Sequence, residues 1–435
     1  MTTSFHPPVH PGFRSRFCPI LPHLSPARSL LMALAAGVAL HAPVALAENV
    51  RIAFIDPLSG AFAPVGQNGL KSWQAMAELA NKNKEAGAHT LEVVGFDNKG
   101  SPQESLTQLK AVIDQGFHYI VQGNGSGVAL ALADAVAKHN ERNPGQEVLF
   151  LNYAAVDPDL TNSKCNFWHF RLDANSDMKM EAMTSFMAKD QSIKKVYIIG
   201  QNYAHGQAVT RAAKEYLKRK RPDIQIVGDD LHPIATVKDF SPYVAKIKAA
   251  GADTVITGNW GADLALLIKA AKDADLKANF YTYYGGTTGV PTAMGAAGAE
   301  RVKIVAYWHA NTETFSGREI FEPYKKKYDD DFYVMATYTG IQLLAKAIKT
   351  AGSTQPLKVA RAMEGMKVKS LNGEVEMRAT DHQLQQPLYI ATWSKLDGKK
   401  VKYDQENTGY GWRTDQKVET YIATQPTSCQ MKRPS

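Results

Sequence analysis

The sequence predicts an α/β fold of parallel sheets with helices on both faces, divided into two lobes. Three observations carry this. Short apolar or alternating runs of strand length recur from residue 50 onward. Each is followed by a turn and, in most cases, by a segment with helical periodicity, and repeated β–α units of this kind specify parallel sheets packed between helices. Once the export segment described below is removed, about 390 residues remain, more than one core usually takes.

In chain order, residues 50–55 read as a strand with an apolar core and 69–83 as the helix after it. The next strand is 91–97, with its helix at 102–115. Further strands are expected at 119–121, 147–151, 195–200, 224–228 and 254–257. No internal repeat or low-complexity linker divides the chain, so crossing strands are expected to join the lobes. Ligands of such sheets sit at the carboxyl ends of the strands.

The stretch Y-I-V-Q-G-N-G-S-G-V (119–128) is the most informative of these units. An apolar run ends in a glycine-serine turn, and a helix-like segment, 128–139, begins at once. A helix N-terminus offers free N–H groups and partial positive charge, so it binds anions without a basic side chain. The glycines let a ligand approach the backbone, and Ser126 adds a hydroxyl. The pattern suits a seat for a small carboxylate; it also describes an ordinary strand-to-helix turn.

The N-terminus places the chain in a compartment. Arg14, Arg16 and Arg28 precede the apolar run 30–40, which is too short to span a bilayer. Ala45-Leu46-Ala47 follows as a small-x-small cleavage site, so residues 1–47 read as a secretory signal and the mature chain is expected to be exported, beginning at Glu48. Cys18 precedes the apolar run, which argues against a lipid anchor. Removing this segment, with its three arginines and no acid, lowers the formal charge from +8 to about +5. The densest basic run, Lys218-Arg219-Lys220-Arg221, ends a helix-like stretch and complements its dipole. It lacks the interleaved aromatics of a nucleic-acid surface, and no nucleic-acid partner is expected. Cys165 and Cys429 remain in the mature chain and are expected to pair, pinning the tail to the middle of the sequence. The histidines show no ligand spacing, so no metal is expected.

The mature start, R-I-A-F-I-D-P-L-S-G-A-F-A-P-V-G-Q-N-G, resembles the opening of type I periplasmic binding proteins, closest to the leucine/isoleucine/valine-binding group of ABC importers. F-D-N-K-G-S-P-Q-E-S (96–105), the Ser126 loop, N-Y-A-A-V-D-P-D-L-T (152–161), N-Y-A-H-G (202–206), A-D-T-V-I-T-G-N-W (252–260) and Y-V-M-A-T-Y-T-G (333–340) follow in the family's order. Each is weak alone; their shared order is specific. The resemblance implies a Venus flytrap of two doubly wound lobes joined by three crossovers, near Arg171, Tyr307 and residue 385. One lobe would comprise 48–171 with 308–385, the other 172–307 with 386–435.

The resemblance also implies a site. Ser126 corresponds to the serine that binds the ligand carboxylate. Ala154 and Val156 match backbone contributors on the next loop, where the family often has threonine at the second position. Tyr203 corresponds to a tyrosine that closes over the ligand, Trp260 to a pocket aromatic, and Tyr333 to an aromatic of the first lobe. Tyr284 falls where amino-acid binders carry a carboxylate for the ligand ammonium. A buried ammonium without a counter-charge is costly, so either Asp263 supplies the charge or the ligand lacks an α-amine. Tyr153, Tyr203, Trp260, Tyr283 and Tyr284 suit a flat or aromatic carboxylate, although core packing accounts for some of them. The expected protein is therefore the monomeric binding component of an importer, with a branched-chain amino acid or related carboxylate as ligand and an inner-membrane ABC permease as partner. No cofactor or catalysis is expected. G-N-G-S-G lacks the G-x-G-x-x-G spacing of a dinucleotide loop and is not a G-x-S-x-G nucleophile elbow. A periplasmic ligand sensor is the remaining alternative.

Overall fold

The structure, a computed structural model, describes residues 47–312 and 318–434. Apart from Ala47, the predicted export segment lies outside the described residues. No described helix is long and apolar enough to cross a membrane.

Two sheets organise the chain. The first contains β1 (Asn49–Asp56), β2 (Thr90–Asp97), β3 (Tyr119–Gln122), β4 (Leu149–Asn152) and β5 (His169–Arg171), ordered β2-β1-β3-β4-β5 and wholly parallel. The second contains β6 (Lys195–Gln201), β7 (Gln225–His232), β8 (Thr254–Thr257), β9 (Asn279–Thr282) and β10 (Val302–Ala306), which are parallel. A small third sheet pairs β11 (Lys367–Ser370), β12 (Gly373–Met377) and β13 (Leu384–Gln385). Two antiparallel strands, β14 (Leu388–Lys395) and β15 (Tyr410–Val418), then extend the edge of the second sheet beyond β10. That edge corrects the expectation of a purely parallel second lobe. β14 enters the sheet from the first lobe and runs antiparallel to β10, and β15 returns antiparallel beside it.

Central strands fall where their apolar runs predict, and the differences lie at ends. The helix expected at 69–83 spans Ala63–Lys82, because Pro64 is well tolerated in a first helical turn. β4 begins at Leu149, since Gln146 closes the preceding turn on Asn143 and the Val148 backbone pairs with the Asn140 side chain instead of a neighbouring strand. β7 runs on to His232 through a register shift opposite Val196/Tyr197, an irregularity with no apolar signature.

Each sheet has its own core. Phe54, Trp73, Ile120, Phe150 and Leu344 are buried around the first. The second buries one layer around Met183, Ile198 and Tyr281 and another around Ile199, Leu267 and Trp393. The chain passes between the lobes after β5, after β10 and between β13 and β14. Buried amides bind these passages together. Gln383 accepts from Arg171 Nε and donates to the Asp173 carbonyl, Gln386 donates to the Leu172 carbonyl, and Asn372 donates to the Tyr307 carbonyl.

The tail departs from its expected place with the second lobe. Beyond Ala423 it returns to the first: Cys429 forms a disulfide with Cys165, Met431 packs on the first core, and Arg433 pairs with Glu364. A cross-link between positions 264 residues apart restricts the unfolded chain. Cys429→Ser should therefore lower unfolding free energy by about 2–4 kcal/mol. Urea melts of oxidised wild type and variant with coincident midpoints would show that the bridge is energetically idle.

Candidate ligand site between the lobes

A cavity of about 290 Å³ opens between the two sheets, at the loops that follow their strands. Its first wall is built on β3 and β4. Gly125 takes a φ of 97°, a conformation that disfavours side chains, and turns the chain directly into the helix Ser126–Arg142. A Cβ on Gly123 would meet the Tyr153 ring at 2.7 Å, so the loop can lie on that ring only as glycine. Ser126 Oγ accepts from the Asp157 amide at 3.2 Å, which leaves the hydroxyl proton free to donate.

Beneath this loop lies a polar anchor that the sequence did not reveal. Asp56, fully buried at the end of β1, accepts from the amides of Gly123 (3.3 Å) and Asn124 (3.0 Å), from Asn124 Nδ2 (3.0 Å) and from the Tyr153 hydroxyl. Burial raises its pKa to about 7 against the lowering effect of these donors. Tyr153 thus borders the cavity while its hydroxyl serves the anchor.

The opposite wall comes from the second lobe. Tyr203 and Trp260 each stand immediately before a helix, and Trp260 Nε1 donates to the Tyr203 hydroxyl at 2.9 Å. Trp260 stacks on Phe62 of the first lobe at 3.9 Å between centroids. Tyr284 directs its hydroxyl across the cleft to the Ala154 carbonyl at 3.4 Å, and Thr288 donates to the Tyr333 hydroxyl. Burial holds Tyr284 well above the usual phenol range, hence neutral. These contacts close the lobes around the cavity.

All eight residues expected at the site, Ser126, Tyr153, Ala154, Val156, Tyr203, Trp260, Tyr284 and Tyr333, line this one cavity. Their availability differs. The Val156 carbonyl is occupied by the amide and hydroxyl of Ser176, both at 2.8 Å, so it serves the crossover. Tyr283 also borders the cavity, but its hydroxyl donates to the Ser176 carbonyl and its ring packs in the second core. Asp263 does not line the cavity. Its Oδ2 accepts from Gln201 Nε2 and the Ala235 amide, which makes it a bracket between loops of the second lobe.

The sequence reading missed Asp173 and Lys179. They form a buried ion pair at 2.6 Å, and both line the cavity. Lys179 Nζ lies 4.6 Å from the centre of the Tyr284 ring, so this ring faces a cation. Burial lowers Lys179 and raises Asp173, each opposed by the other's charge. His205, packed against Tyr283 and Tyr284, is pushed down to about 3 by burial and then by Lys179, so its ring is neutral. A lysine among the methionines of helix Ser176–Met187 was the available signal: its neighbours Met178, Met180 and Met183 are all buried. No cluster of metal-ligating side chains occurs among the described residues.

Two parallel-sheet lobes closed over a central cavity define a solute-binding architecture of the Venus flytrap type. The periplasmic binding protein family matches residues 49–400, and the chain belongs to that family. It is 36% identical over 428 residues to the Leu/Ile/Val-binding protein homolog 4 of Brucella abortus (strain 2308), covering 93% of this chain and 100% of that protein. The closed conformation of a leucine-, isoleucine-, valine-, threonine- and alanine-binding protein from Brucella ovis superposes with a TM-score of 0.78 at 33% identity, covering 89% of this chain and 100% of the other. A solute-binding protein of an ABC transporter from R. palustris, in complex with 4-hydroxybenzoate, shares the fold with a TM-score of 0.72 at 22% identity, covering 86% and 97% of the two chains. Family membership implies a periplasmic location.

Proposed function

We propose that this protein captures a small carboxylate in the periplasm and delivers it to the membrane permease of an ABC importer. Export would follow cleavage after Ala47, and one chain suffices, because both walls of the cavity come from it. The lobes would be 48–171 with 308–385 and 172–307 with 386–423, the tail docking back on the first. Ligand would bind the Ser126 lobe first. Closure would bring Tyr203, Trp260 and Tyr284 onto it, and a ligand favours the closed form only through contacts it gains there.

The observation that carries this reading is the convergence of a free serine hydroxyl, a helix N-terminus and a wall of aromatic faces on one cavity. The hydroxyl and the helix end suit an anion, and the aromatics suit an apolar body. The neutral Tyr284 above Lys179 supports an acid without an α-ammonium. A branched-chain amino acid is the second reading, favoured by the name of the 36%-identical relative.

Thermal-shift assays followed by calorimetry on ligand-stripped protein, pairing each amino acid with its deaminated acid and adding aromatic acids, test both. Stabilisation by amine-free acids alone supports the first; stabilisation by leucine, isoleucine or valine supports the second. For whichever acid binds, Ser126→Ala should weaken affinity by about 1–3 kcal/mol, the cost of a hydrogen bond to a charged group. Unchanged affinity in that variant would remove Ser126 from the site.

A further inference from the structure

The Asp173–Lys179 pair is unusual for a structural ion pair. Both side chains are almost wholly buried, at 1% and 2% exposure, yet both border the ligand cavity. The pair is also incomplete. Asp173 Oδ2 accepts from Lys179 Nζ, but among the described residues Oδ1 has no hydrogen-bond partner of normal geometry, although the Ala174 amide lies close enough to favour the ionised form. A buried carboxylate oxygen without a donor is costly, and such atoms are rare in folded proteins. An ammonium carries three N–H donors, and among the described residues the one hydrogen bond Lys179 makes from Nζ is to Asp173; the rings of Tyr284 and Tyr307 cover other directions. At the edge of one cavity the pair therefore offers an acceptor and a donor side by side.

The surrounding charge decides what fits. Lys179 already neutralises Asp173, and the Arg171 guanidinium acts on both groups as a further positive charge. His205 adds none, since its ring is neutral. Asp157, Asp381 and Asp177 also act on Arg171 and offset its charge, so Lys179 is the cation that counts at the cavity edge, and a ligand ammonium would bring a second cation to the carboxylate that Lys179 already pairs. A hydroxyl would give its proton to Asp173 Oδ1 and accept from Lys179 Nζ with no change in charge.

We propose that Asp173 and Lys179 form a second polar pole of the cavity, and that the ligand is a hydroxy-carboxylate whose hydroxyl they bind. This rests on the carboxylate reading above and narrows it. The test is calorimetric titration of ligand-stripped protein with matched acids. Isocaproate, leucine and 2-hydroxyisocaproate form one series; benzoate, 4-aminobenzoate and 4-hydroxybenzoate form another. In at least one series the hydroxy acid should bind about tenfold or more tighter than both companions. The preference should persist in Ser126→Ala while every affinity there falls. It should collapse in the double variant Asp173→Leu/Lys179→Met, which replaces the pair by apolar groups. Equal binding within both series, tightest binding by an amine, or a preference that survives the double variant would overturn the assignment while leaving the carboxylate reading intact. Failure of every acid to bind would overturn both.

Discussion

Replacing Lys179 by methionine should lower the free energy of unfolding by about 3–5 kcal/mol, because it leaves the Asp173 charge buried without its partner. The reasoning starts from burial. Asp173 is 1% exposed, and among the described residues its carboxylate has no other cation at hydrogen-bond distance. Taking an unpaired carboxylate out of water costs far more than the methylene packing that methionine retains. Urea melts at pH 7 measure the loss as a shift in midpoint at constant slope. The companion variant Asp173→Leu/Lys179→Met separates charge from packing. Apolar replacement of a whole buried pair is often neutral or stabilising, so this variant should recover most of the loss. A single variant as stable as wild type would mean that solvent reaches Asp173 and that the pair is not dry.

Asp56 should make stability depend on pH in the direction opposite to an ordinary salt-bridged carboxylate. Burial raises its pKa to about 7 in the fold, from the ordinary 3.8 of an exposed aspartate. Below about pH 4 the group is protonated in both states and its contribution is complete. Between about pH 4 and 7 the unfolded chain releases the proton while the fold retains it, so stability falls as pH rises. Above pH 7 both states are ionised and the contribution levels out. The full span corresponds to about 4 kcal/mol, at about 1.4 kcal/mol per pKa unit. Other carboxylates impose their own slopes, so the measured quantity is the difference between wild type and Asp56→Asn. That difference should move against wild type from pH 4 to 7 and then stay constant. A flat difference across the range would mean that Asp56 is ionised throughout, held so by Tyr153, Gly123 and Asn124. Asp56 also anchors the two residues before Gly125. The same titration therefore reports on the loop that carries Ser126.

Much of the fold was legible in the sequence because its strands are buried on both faces. Such strands appear as uninterrupted apolar runs, as in I-A-F-I of β1 and L-F-L of β4, and helices with a buried stripe alternate with them. The antiparallel edge was not legible. β14 (L-Y-I-A-T-W-S-K) has an apolar run as clear as those of the parallel strands, while β15 mixes polar and apolar residues; in neither does anything local state which strand it pairs with, or in which direction. The register shift in β7 failed for the same reason, since its partner strand lies elsewhere in the chain, whereas the helix start at Ala63 had a local mark, Pro64 in the first turn, that the periodicity reading passed over.

The site divides along similar lines. Order and spacing of short motifs placed Ser126, Ala154, Tyr203, Trp260 and Tyr284 beside one cavity, because each sits just after a strand or at the start of a helix, where sequence patterns mark position. Asp56, Asp173 and Lys179 carry no such mark. Their neighbours on the chain describe a strand end, a crossover and a methionine-rich helix, while the partners that give them meaning lie elsewhere, such as Asn124 and Tyr153 for Asp56. Asp263 shows the converse: a carboxylate near the expected position that the fold turns toward Gln201 and Ala235. The sequence alone thus determined the α/β class, the likeness to a binding protein and the residues bordering the cleft, since these follow from local periodicity and motif order. Only the tertiary structure decided the charge inside the cleft, because burial and pairing depend on groups that meet only when the chain has folded.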